Sequence, residues 1–127
     1  MTNTFTQARA ALAAILADAG IAATDFRPER INPQIALVTA DSPWAAAGAS
    51  FGSYAVRYAV TLVAPKAPND AATDALDGLV ATAVVALANS PDWGVDRVDE
   101  PFMLVVAGAE YLAASLTAVL TTAIETD

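Results

Sequence analysis

The sequence predicts an α+β domain: a mainly antiparallel sheet of about five strands flanked by two helices, in the order helix, strand, strand, helix, strand, strand, strand. Three observations predict it. Residues 4–19 and 69–88 carry apolar side chains at helical spacing. Residues 53–64 alternate strictly between apolar and small or polar positions, the period of a half-buried strand. The remaining strand candidates mostly follow one another without room for helical crossovers, which favours antiparallel pairing. With 127 residues, the chain reads as one domain over 1–127.

In the first element, Phe5, Ala8, Leu12, Ile15, Leu16 and Ala19 form one stripe. Thr4 is the expected cap, and Gly20 stands where a helix end favours a left-handed residue. The Ala/Leu/Ile run here has some look of a signal peptide. Arg9 is the only early basic side chain and Asp18 interrupts the run, so an amphipathic helix is expected instead. Pro28 and Pro33 make residues 21–33 an extended connector. Gln34–Thr39 is a short strand. Ala40–Gly52, with Pro43, Gly48 and Gly52, reads as a loop, unusual in holding Trp44 and Phe51 among alanines.

The long strand 53–64 turns Tyr54, Val56, Tyr58, Val60, Leu62 and Ala64 to one side and ends at Pro65 and Pro68. In the second helix Asn69 or Asp70 is the expected cap. Asp70, Asp74 and Asp77 fall in the first two turns, where the helix dipole favours anions. Its stripe is Ala72, Leu76, Leu79, Val80, Ala83 and Leu87. The second half is apolar around most of its circumference, which predicts cover on more than one face. Val95–Asp99 and Phe102–Ala107 read as strands, with Gly108 and Ala109 at a turn. Residues 111–124 suit helix or strand by their spacing of four, and the β-branched Thr117, Val119, Thr121, Thr122 and Ile124 favour strand.

Composition excludes whole classes of chemistry. There is no His and no Cys, so no Ser-His-Asp triad, thiolate nucleophile, disulfide, iron–sulfur cluster or structural zinc site. No cofactor is expected. The net charge is −8, which argues against wrapping nucleic acid. The longest uncharged helix-compatible runs fall short of a bilayer span, so no membrane anchor is expected. Ala numbers 32, equal to Leu, Ile, Val and Phe together, which predicts close contacts between small residues.

Few residues invite a functional reading. The aromatics Trp44 and Phe51 are candidate partner contacts, because exposed aromatics mark interaction surfaces. Asp96, Asp99 and Glu100 cluster around Arg97, and alternation would place Asp96, Val98 and Glu100 on one face. They form either an acidic surface, a cation site, or an edge strand kept soluble by charge. Lys66, the single lysine, lies between prolines in a turn and is unsuited to a desolvated amine.

Three stretches, RPERINPQIALV (27–38), VAPKAPNDAATDALDGLV (63–80) and AGAEYLAASLTAV (107–119), in this order and spacing resemble the tail terminator proteins of long-tailed bacteriophages, especially those of actinobacteria. The resemblance implies a virion protein of the neck or tail end, assembled in the host cytoplasm. It implies a homohexameric ring that caps the completed tail tube, stops its polymerisation and joins it to the head connector. The implied partners are copies of itself, the major tail tube protein and the head connector or completion protein. DNA passes through without specific binding, and no enzymatic activity is implied. An acidic wall holding Asp96, Asp99 and Glu100 would repel passing phosphate. Another neck component, or a small α+β ligand-binding or enzyme subunit, remains an alternative reading of the same residues.

Overall fold

The computed structural model describes residues 3–24, 35–48, 50–65 and 68–124. Two helices, α1 (Thr4–Asp18) and α2 (Asn69–Ala88), pack on one face of a six-stranded mixed sheet. The strands are β1 (Ala22–Thr24), β2 (Ile35–Ala47), β3 (Tyr54–Val63), β4 (Trp93–Val98), β5 (Phe102–Val106) and β6 (Ala109–Thr122). The order across the sheet is β1-β2-β3-β6-β4, with β5 also on β6. The α+β class and both helices are as expected from the sequence, but the sheet has six strands and is mixed, because β1 pairs parallel to β2. All other pairings are antiparallel. β1 falls in the stretch read as connector. Three residues are too few to show a period, and only their neighbour makes them a strand. Residues 25–33 of that connector and Lys66 lie outside the described residues.

α1 behaves as its stripe predicts, with Ala8, Leu12 and Leu16 buried. Its cap is Asn3 rather than Thr4: the Asn3 side chain accepts from the Thr6 N–H at 3.0 Å. α2 starts after Pro68 without a side-chain cap, where Asn69 or Asp70 was expected to serve. Pro68 supplies extended backbone there and its carbonyl accepts from Ala72 at 2.9 Å. The α2 stripe of Ala72, Leu76, Ala83 and Leu87 is buried against the sheet, with Leu79 and Val80 beside it. The outer face is not covered in the single chain, and Val85 is 58% exposed. By length and composition α2 is apolar enough to cross a membrane, which counting uncharged runs alone did not reveal. One face of it nevertheless lies on the sheet.

The core is built from the faces that alternation selects. Val56, Tyr58, Val60 and Leu62 of β3 meet Leu116 and Ala118 of β6 and the two helical stripes. Tyr58 is fully buried and donates its hydroxyl to the Phe5 carbonyl at 2.8 Å, tying the centre of the sheet to the start of α1. On the opposite face a smaller cluster joins Leu37, Val63 and Ala113, with Leu104, Val106 and Tyr111 packed against it.

Residues 40–52, expected as a loop, are largely strand. β2 continues to Ala47 through a bulge: Ala40 pairs Tyr58 and Ala45 pairs Val56, so three extra residues stand against β3. The bulge is where Pro43 is tolerated, since it needs no ladder hydrogen bond there. The Ser42–Pro43 peptide is cis. At the other margin, β4 and β5 form one broken strand along β6. The register slips by one residue at Asp96, and again between Val98 and Phe102, where four steps face three. β5 returns into β6 through a two-residue turn at Ala107 and Gly108, one residue earlier than expected, with φ of 52° and 80°. Positive φ at both centres is the type I′ arrangement that matches strand twist, and it favours Asn-Gly.

Ala107 therefore holds a conformation that a Cβ disfavours by about 1–2 kcal/mol. Ala107→Asn should raise stability in urea unfolding by up to about 1 kcal/mol, whereas Leu62→Ala, in the centre of the core, should lower it by about 2–5 kcal/mol.

Candidate functional site

Trp44 and Phe51, expected to share one partner loop, are separated by the fold. Trp44 sits in the β2 bulge and stacks on Phe5, with ring centroids 4.3 Å apart and an interplanar angle of 43°. It remains 41% exposed and acts as a lid over the start of α1. Phe51 stands at the tip of the β2–β3 hairpin, fully exposed, with the half-exposed Tyr54 at its base.

That tip is a built structure. Gly48 donates to the Ser53 carbonyl at 2.9 Å and Ser53 donates to the Ser50 carbonyl at 3.0 Å. The Ser53 hydroxyl donates to the same Ser50 carbonyl at 2.7 Å and accepts from the Ser50 N–H at 3.2 Å. A Cβ on Gly48 would meet the Ser53 hydroxyl at 2.5 Å, so only glycine closes this turn. The serine bonds fix the backbone on both sides of Phe51 and hold its ring in water.

The acidic residues are also rearranged relative to simple alternation. Asp96 follows the helix-side Val95, so its carboxylate lies on the helix-free face, where it accepts from Arg57 Nη1 of β3 at 2.6 Å; the register slip there moves Val98 to the helix side. Val98 pairs Leu116 and lies on the helix side, so Asp96, Val98 and Glu100 do not share a face. Asp99 meets Arg97 Nε at 3.4 Å, and both are more than half exposed. Glu100 is exposed next to them. Two of the three acids thus have a cation partner, and the local field is weaker than three free carboxylates would give.

Asp41, which the sequence did not single out, completes this polar face. It lies in the β2 bulge, accepts from the buried Thr117 hydroxyl of β6 at 2.6 Å and from the Ser42 N–H at 2.7 Å. Burial pushes its carboxyl up. The Thr117 and Ser42 hydrogen bonds, with Arg97 and Arg57 nearby, outweigh that and hold it below its ordinary value of 3.8. Nearer the helix-free face's apolar end, the Thr61 and Ser115 hydroxyls share a hydrogen bond of 2.9 Å. A sequence signal for Asp41 existed only in hindsight: its place two residues before Pro43 in a strand marks a bulge, but its partner is 76 residues away.

Among the described residues, no group of three or more Asp or Glu is placed to hold a metal ion. Asp70, Asp74 and Asp77 are exposed on α2. The constellation offers ion pairs and carboxylate–hydroxyl bonds between strands, which position the sheet, together with one presented aromatic ring. Compared with known proteins, the chain matches no family model and no curated sequence.

A depressed folded-state pKa means that the unfolded chain binds more protons in acid, so stability rises with pH through this range. The Asp41 contribution is complete above the unfolded value and is lost as pH falls through the folded one. Asp41→Asn should therefore flatten the acid limb of the stability curve between about pH 5 and pH 2, measured by urea unfolding at each pH.

Proposed function

We propose that this chain is a structural assembly subunit, a tail terminator of a long-tailed bacteriophage, closing with copies of itself into a ring on the end of the tail tube. The observation that carries the reading is Phe51, a whole aromatic ring held in solvent by a turn of four backbone and side-chain hydrogen bonds. Rigid presentation removes much of the ordering cost of binding, and a buried aromatic anchor is the usual dominant contact of an interface. The uncovered outer face of α2, with Ala81, Thr82 and Val85 beside Ala19, adds a second small-residue surface suited to close approach. A ring needs two unlike faces on each subunit, since head-to-tail contacts are heterologous. Phe51 and the α2 face supply such a pair.

In this reading the subunit meets its own copies laterally, the tube protein on one side and the head connector on the other. Hexamer closure and a place in the virion neck follow from the resemblance in sequence. DNA passes through the ring without specific contacts, and the overall charge of −8 disfavours retention of phosphate. Asp96, Asp99 and Glu100 contribute less to that repulsion than unpaired acids would, because Arg57 and Arg97 offset two of them.

Electron microscopy of the purified chain mixed with tail tubes tests the proposal. Rings at one end of each tube are the expected result. Phe51→Asp should abolish them while changing unfolding stability by no more than about 0.5 kcal/mol, as for an exposed site. A chain that stays monomeric with tubes, and never sits at a tube end, overturns the reading.

A further inference from the structure

At the end of β6 remote from Phe51, the β4–β5 margin of the sheet has a free edge. β4 and β5 pair only with β6, and among the described residues no strand runs along their outer side. The two register slips disturb the edge at Asp96 and at 99–101, but Phe102–Val106 is regular. A regular unpaired edge is a template for another strand.

The side chains there are apolar on the helix side. By register, Val98, Met103 and Val105 lie on the face that carries Leu112, Ala114 and Leu116, and they are 45%, 56% and 56% exposed. Where this edge begins, an open groove of about 310 Å³ lies between α2 and the corner at 98–101. Leu76, Val80, Val98 and Ala114 line it, and Asp77 and Asp99 stand in its wall. Glu110, opposite Val105, is exposed farther along the same hairpin.

We infer that this edge and groove form a docking site for an extended, basic segment of a different protein, which adds as a strand beside β5 and drops apolar side chains toward the α2 groove. Strand addition takes affinity from main-chain hydrogen bonds and specificity from pockets that receive alternate side chains. An added strand would place every second residue on the helix side, and its residues beside Phe102 would reach the groove at the 98–101 corner. Its flanking cations would face Asp77 and Glu110, since Asp99 is already paired with Arg97. A second copy of this chain fits poorly, because it brings its own charge of −8 to an acidic rim. The inference does not rest on ring formation: it concerns the opposite end of β6 from Phe51, and each can fail alone.

The test uses an acetylated, amidated heptapeptide alternating lysine with valine and leucine, fluorescently labelled, and read by anisotropy and by amide hydrogen exchange of the full chain. Saturable binding with new protection at residues 102–106 is expected. The same peptide with glutamate for lysine should bind at least about tenfold more weakly. Val98→Trp, which fills the groove from the sheet side, and Asp77→Lys, which reverses its charge, should each weaken binding by about tenfold with unchanged circular dichroism. Alternate N-methylation of the peptide should abolish binding, since it removes the donors while keeping charge and side chains. Equal binding of the N-methylated peptide, or no protection at 102–106, overturns the proposal. So does a particle mass that falls on Val98→Trp in a chain that ignores the peptide, because the groove then belongs to a second copy.

Discussion

The hydrogen-bond ladder of β6 is the constraint on which the rest of the structure depends. This strand pairs β3 along ten residues on one side, and β4 and β5 in succession on the other. A central strand so fully paired must be small where layers approach it. Ala113, Ala114 and Ala118 are all buried, and Leu116 between them supplies bulk. The abundance of alanine thus has a location: it lets α2 cross close to the sheet on one face and lets the Leu37–Val63 cluster close on the other. Charges and hydroxyls enter where β6 needs lateral support. Thr117 receives Asp41 from β2, Ser115 meets Thr61 from β3, and Arg57 reaches across to Asp96 of β4.

Elements with a clean period were legible in the sequence. β3 alternates over its whole length and its apolar set forms the core as read. β6 was separable from a helix by its β-branched residues, and the stripes of α1 and α2 face the sheet. What was not legible depends on neighbours. β1 is a strand only because β2 lies beside it in parallel. The bulge in β2 hides a strand behind Pro43, because the usual argument against proline in a sheet does not apply to residues outside the ladder. Capping shifted by single positions, to Asn3 and Pro68, where local geometry chooses among adjacent candidates.

The candidate site was legible in half. Phe51 was identifiable as an aromatic among small residues, and it is exposed. Trp44 shared that texture but is drawn to Phe5, a contact across 39 positions that no local pattern encodes. Counting acids around Arg97 suggested a negative patch. The count could not include Arg57, which belongs to another strand, nor the slip at Asp96 that turns the following Val98 to the other face. Charge read along the chain overstates the field wherever a cross-strand cation answers it.

The two margins of the sheet are unequal. Among the described residues, one is the three-residue β1 followed by the bulged remainder of β2; the other is an interrupted strand that reaches from Trp93 to Val106. Identical molecules meeting margin to margin would find a mismatch of length and of kinks, so stacking of sheets into open-ended fibrils stalls after the first encounter.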